Sequence, residues 1–242
     1  MSNIVIDIGN TRMKVGVFEN GVLVARYYDP TPTELKALQT SPDDKVIVSS
    51  VGHGQEEIKK LFEESLAVIE FNRSLNLPLS LRYDTPETLG LDRIAAAIGA
   101  VTLYPLNNVL VIDAGSCITI DLVNKEQEFC GGIISPGVKM RFKAMHTFTD
   151  KLPLVDWTIY SKENLSLPAL STQECMLAGV FKGMQFEIEG YVHHYSGRYP
   201  DLKVIMTGGD TQYFENIINT RIFTEESLVL IGLNRVLEYN VA

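Results

Sequence analysis

At 242 residues, 45% hydrophobic and 21% charged, the chain can fill two modest cores or one large one, as ordinary globular proteins do. Its formal net charge of −9 argues against a broad nucleic-acid surface, which needs clustered Lys and Arg to displace counterions. Three cysteines, Cys117, Cys130 and Cys175, form no Cys-x-x-Cys pair and fit the reduced thiols of a cytoplasmic protein.

In chain order, alternating apolar runs predict strands over 4–8, 13–18 and 22–28, the last two joined at Asn20-Gly21, a strong hairpin signal. A helix over 33–39, a strand over 45–50, a helix over 55–67 and a strand over 67–71 follow. The helix over 92–104 is apolar on most faces and is expected to be buried. Its apolar segment, Ile94 to Leu106, is too short to span a bilayer and is broken by Pro105, so no membrane association is expected. The first strand starts within a few residues of Met1, ahead of any basic region followed by a long apolar run, so no secretory signal is expected. After a crossing at 104–108 come strands over 109–113, 117–123 and 127–134 and the turn Ser135-Pro136-Gly137. Helices over 137–148, 171–195, 211–217 and 226–239 and a strand over 203–206 complete the reading, which divides the chain into domains 1–106 and 107–242.

One short pattern occurs twice. Ile4-Val5-Ile6-Asp7-Ile8-Gly9-Asn10-Thr11 precedes Lys14, and Leu110-Val111-Ile112-Asp113-Ala114-Gly115-Ser116 precedes Thr119-Ile120-Asp121. In each, a β-branched strand delivers an Asp to its end, a Gly turns the chain, and short hydroxyl or amide side chains follow. Backbone N–H groups of such a turn approach phosphate oxygens closely, and the Asp can hold Mg²⁺ or its water shell. A third strand ends in Thr207-Gly208-Gly209-Asp210, where bare backbone suits a flat adenine or ribose. The duplication predicts an α/β fold of two ribonuclease-H-like domains with an interdomain cleft, the layout of the actin, hexokinase and Hsp70 ATPase superfamily.

Taken in order, these motifs resemble type III pantothenate kinase along nearly the whole chain. Asp7, Ile8, Gly9, Asn10, Thr11 and Lys14, with Arg12 and Met13 between, resemble the family's first phosphate motif. Tyr83 and Gly90-Leu91-Asp92-Arg93 resemble its pantothenate-binding and catalytic segment. Asp113-Ala114-Gly115-Ser116 resembles the second phosphate motif, Gly131 to Gly137 the segment after it, and Thr207 to Asp210 the adenosine-side turn. The family usually carries Thr where this chain has Ser116 and a small residue where it has Cys117; Ser keeps the hydroxyl that meets ATP.

The resemblance implies phosphoryl transfer from ATP, with Mg²⁺, to the primary alcohol of pantothenate, the first step of coenzyme A synthesis. It implies Asp92 as proton acceptor, an ionised carboxylate at a helix start. Arg93 is the expected partner of pantothenate's carboxylate, which its fork can grip through two charged hydrogen bonds. By the same resemblance Tyr83, Gly90 and Leu91 are expected to contact this substrate, and Asp113 to help bind a monovalent cation, K⁺ or NH₄⁺. Thr172 resembles the Thr that reaches the site of the other subunit in a homodimer, whose interface the apolar stripe Met176, Leu177, Val180, Phe181, Met184, Ile188 and Val192 could supply. A nucleotide-binding regulator of gene expression on the same fold would not need Asp92, and a sugar or polyphosphate kinase would carry Asn and Asp clusters in place of Tyr83 to Arg93.

Overall fold

Strand patterning and turn chemistry set the first sheet. β1 (Asn3–Ile8), β2 (Met13–Glu19) and β3 (Val22–Tyr28) form an antiparallel meander, with Asn20 and Gly21 both at positive φ in the second turn, as a tight hairpin requires. β4 (Lys45–Ser50) joins β1 in parallel and β5 (Ala67–Glu70) joins β4, giving the order β3-β2-β1-β4-β5. α1 (Pro32–Ala37) starts at a capping box, in which Thr31 and Glu34 each satisfy a backbone N–H of the other. Together with α2 (Gln55–Leu61) it covers one face, burying Ile4, Ile6, Val15, Leu35, Val46, Val48 and Phe62. The computed structural model describes residues 2–9, 11–50, 55–63, 65, 67–160, 165–214 and 222–241.

The second sheet contains β6 (Ser80–Leu81), β7 (Val109–Ala114), β8 (Cys117–Val123), β9 (Glu128–Pro136), β10 (Lys203–Thr207) and β11 (Phe223–Thr224), in the order β11-β10-β7-β8-β9-β6. Read from its third strand, each repeat has the same order: β3-β2-β1-β4-β5 and β9-β8-β7-β10-β11. That shared 3-2-1-4-5 order is the duplicated ribonuclease-H-like layout expected from the repeated turn. β6 is an addition, donated by the first repeat to β9.

The remaining helices are α3 (Leu91–Leu103), α4 (Val138–Thr147), α5 (Thr172–Ser196) and α6 (Leu228–Asn240). By contacts the chain forms two compact units. One is Met1–Val109 with Asp121–Gly131 and Ser227–Ala242; the other is Leu110–Ile120 with Gly132–Glu226. The C-terminal helix therefore packs with the first unit, against α3, β1, β2 and β4. α3 is buried along Arg93–Val101, as its all-round apolar pattern predicts.

Two expectations change, and two short strands carried none. The helix expected over 211–217 is a short 3₁₀ turn at Thr211–Tyr213, and 215–217 lie outside the described residues. β6 and β11, two residues each, are too short to leave a pattern. The apolar stripe of α5 is core: Met176, Leu177, Val180, Phe181, Met184, Ile188 and Val192 are all buried within this one chain, which withdraws them as an interface. Among the described residues no helix is long and apolar enough to cross a membrane.

Candidate active site

The first phosphate turn connects β1 to β2. The Gly9 N–H donates to the Arg12 carbonyl at 3.2 Å, closing the loop. Asp7 and Lys14 are direct partners in the antiparallel ladder, so their side chains share one face of the sheet, carboxylate beside ammonium. Both are half-buried, and Thr11 and Arg12 are exposed at the tip. Asp29 steadies the exit, its Oδ1 accepting the Met13 N–H at 2.7 Å. Ile8 pairs with Met13; Asn10 lies outside the described residues.

The segment expected to hold pantothenate forms the start of α3. Gly90 is the N-cap, with no side chain to cap the helix, and Leu91 and Asp92 are its first residues. Asp92 is exposed, and its Oδ1 accepts the Arg93 N–H at 2.9 Å. A side chain at Gly90 would fill the space that this oxygen takes. The same turn has a cavity of about 290 Å³ beside it, lined in part by Phe71, Leu81, Leu91 and Ile94.

Arg93 turns inward instead. Its Nε donates to Asp121 Oδ2 at 3.0 Å and its Nη2 donates to Asp121 Oδ1, a two-point pair with both residues buried. The Phe129 and Tyr83 rings, edge to face at 5.9 Å, flank the guanidinium with centroids 5.6 and 6.0 Å from Cζ. Donating to the Asp121 carboxylate holds Arg93 even more firmly protonated than usual. Tyr83, Gly90, Leu91, Asp92 and Arg93 thus share one locality. Asp121 and Phe129 belong to it too and carried no role in the sequence reading. The available signal was an acid inside the apolar run Ile118 to Val123, since a buried carboxylate demands a partner.

In the second unit, three glycine turns converge. The Gly115 N–H donates to the Cys117 carbonyl at 2.9 Å, the Gly137 N–H to the Ser116 carbonyl at 3.2 Å, and the Asp210 N–H to the Ala114 carbonyl at 2.8 Å. Gly208, at φ +98°, lies so close to the Ala114 carbonyl and the Asp113 carboxylate that no side chain fits there. Asp113 is half-buried and Ser116 exposed. α4 begins at this cluster, and the Asp210 carboxylate accepts its first N–H, from Val138. Burial nonetheless pushes the Asp210 pKa up to about 6, because one N–H does not offset the lost hydration. Thr172 stands at the first turn of α5, exposed, behind the N-cap Ser171.

These placements coincide with a family assignment. The model of the type III pantothenate kinase family matches residues 3–194. A type III pantothenate kinase of Cytophaga hutchinsonii is 43% identical over 241 residues, covering 99% of this chain and 100% of its own.

The chain belongs to the type III pantothenate kinase family.

As a type III pantothenate kinase it is an ATP-dependent phosphotransferase that phosphorylates pantothenate, at the start of coenzyme A synthesis. Solved structures agree on the fold. A Campylobacter jejuni protein described as a Baf family transcriptional activator superposes with TM-score 0.65 at 23% identity, covering 98% of each chain. The ROK hexokinase of Thermus thermophilus superposes with TM-score 0.52 at 13% identity, covering 100% of each. In this type III pantothenate kinase the three cysteines are free thiols, and the exposed His193 and His194 join no metal-binding group among the described residues.

Proposed function

We propose that Asp92 accepts the proton of pantothenate's primary hydroxyl as the γ-phosphoryl group of ATP is transferred to it, and that Arg93 holds the substrate's carboxylate. The first turn of α3 carries this reading: it sets an exposed carboxylate beside a buried, ring-flanked guanidinium. The hydroxyl oxygen bonds to the γ-phosphorus while the bond to the β–γ bridging oxygen breaks, ADP departs, and the proton passes to Asp92. A loose transition state asks mainly for positioning and charge neutralisation. A positioned carboxylate suffices for a late proton transfer.

Tyr83, Gly90 and Leu91 complete the pantothenate contacts, and Thr172 comes from the second subunit of a homodimer. Asp7, Ile8, Gly9, Asn10, Thr11, Arg12, Met13 and Lys14, together with Ser116, are assigned to Mg-ATP. Asp7 beside Lys14 and Asp113 against bare Gly208 offer the carboxylate oxygens that hard cations take, Mg²⁺ at the first and K⁺ or NH₄⁺ at the second. Bound there, the ions neutralise phosphate charge. The two repeats, 1–106 and 107–242, would each supply one phosphate turn, and the free thiols support a cytoplasmic setting.

A coupled ADP-release assay tests the reading. With Mg²⁺ and K⁺, ADP release should depend on pantothenate, and NH₄⁺ should replace K⁺ whereas Na⁺ should not. Release that ignores pantothenate would remove the substrate assignment. Equal rates in Na⁺ and K⁺ would remove Asp113 as a monovalent-cation ligand.

A further inference from the structure

Asp121 occupies only part of Arg93. A guanidinium presents five N–H donors in a rigid planar fork. Nε and one N–H of Nη2, the lateral edge, are committed to Asp121. Nη1 and the second N–H of Nη2 form the end-on edge, whose geometry suits a carboxylate held through two parallel bonds, and the Tyr83 hydroxyl, which also hydrogen-bonds the Arg93 side chain, bounds the guanidinium on its remaining side. The pair ties the first turn of α3 to the middle of β8, across 28 residues of sequence, and Tyr83 and Phe129 flank the guanidinium. With Asp121 at 2% and Arg93 at 7% exposure, the Arg93 side chain has little freedom to swing.

We infer that Asp121 is a positioning residue for substrate recognition: by holding the lateral edge of Arg93 it aims the end-on edge at pantothenate's carboxylate and makes two directed bonds, not net positive charge, the basis of selection. The inference rests on the assignment of Arg93 to that carboxylate. Its physical content is that the Arg93–Asp121 pair is neutral, so a monatomic anion, which cannot make two directed bonds, gains little there. A carboxylate matched to the fork gains two directed bonds. Without Asp121 the guanidinium would be a buried cation with no fixed aim, open to anions in general.

The test compares pantothenate with pantothenol, in which a hydroxymethyl group replaces the carboxylate, by calorimetric binding to the intact protein. The parent enzyme should prefer pantothenate. Asp121→Asn should cut that preference by about tenfold or more, the scale of a lost hydrogen bond to a charged group. KM for ATP should stay within about twofold, and inhibition by chloride should grow. Asp121→Glu keeps the charge but shifts it by one methylene, and should cut the preference by a smaller factor. This second variant decides the matter if Asp121→Asn does not fold. Arg93→Met should abolish the preference, and adding Asp121→Asn to it should change nothing further.

An unchanged preference in a folded Asp121 variant, with Arg93→Met losing it, would overturn the positioning role and leave Arg93 assigned. A preference that survives Arg93→Met would overturn the Arg93 assignment itself and the inference with it.

Discussion

Gly232 of α6 sits directly against the backbone of Ala95 in α3: a Cβ on Gly232 would collide with the Ala95 carbonyl and come within 2.8 Å of the Gly99 N. Gly99 in turn leaves no room for a side chain beside the Leu228 carbonyl. The two helices therefore meet backbone to backbone, and this contact seats the helix whose first turn carries Asp92 and Arg93.

Gly232→Ala should consequently destabilise the protein. Overpacking costs about 1–3 kcal/mol and the helix gain from Ala returns at most about 1. Gly183→Ala on α5 is the control, since nothing lies within 4 Å of its added Cβ. Urea titration should show the first variant less stable than the parent and the second equal or better; equal midpoints for both would mean that the helix contact has slack.

Asp92→Asn preserves the acceptor for the Arg93 N–H, so helix and fold should persist. The amide is a far poorer proton acceptor, and turnover should fall roughly a hundred- to ten-thousand-fold with ATP affinity unchanged. Steady-state kinetics with nucleotide binding measured separately check this. Turnover within about threefold of the parent would leave Asp92 a structural residue only.

Asp210 predicts a pH dependence of stability. Its carboxyl titrates near 6 in the folded protein against 3.8 unfolded, so the folded state binds the proton more tightly. The stabilisation from that proton is fully present below 3.8 and is lost as pH rises through about 6. Asp210→Asn keeps an acceptor for the Val138 N–H without a charge to bury. Its Tm advantage over the parent should be larger at pH 7.5 than at pH 4.5, and parallel Tm profiles across that range would contradict the assignment.

The shared-site proposal is tested by co-expressing one chain carrying Asp92→Asn with another carrying Thr172→Val, each nearly inactive alone. If Thr172 acts across the interface, a mixed dimer gathers both lesions in one site and leaves the other whole, restoring about half the activity per dimer. No recovery in purified mixed dimers would place Thr172 in its own chain's site.

Local chemistry carried much of the reading. Asp-x-Gly turns behind β-branched strands, the Asn20-Gly21 hairpin and the all-apolar α3 each depend on backbone preference and periodicity within a few residues. The duplicated strand order was therefore legible in the sequence, while the grouping of Tyr83 with Gly90 to Arg93 came only from the resemblance to the family. What the sequence could not determine were relationships between distant segments. The stripe on α5 reads the same whether it faces its own core or a partner, and only the packed chain buries it. Nothing near Asp92 in the chain says what braces the neighbouring guanidinium; only the fold brings Asp121, on another strand, against it. The meeting of Gly232 with Ala95 is decided by how closely two helix backbones approach, which no local pattern encodes. Burial and charge pairing are properties of what surrounds a residue, and the surroundings exist only once the chain has folded.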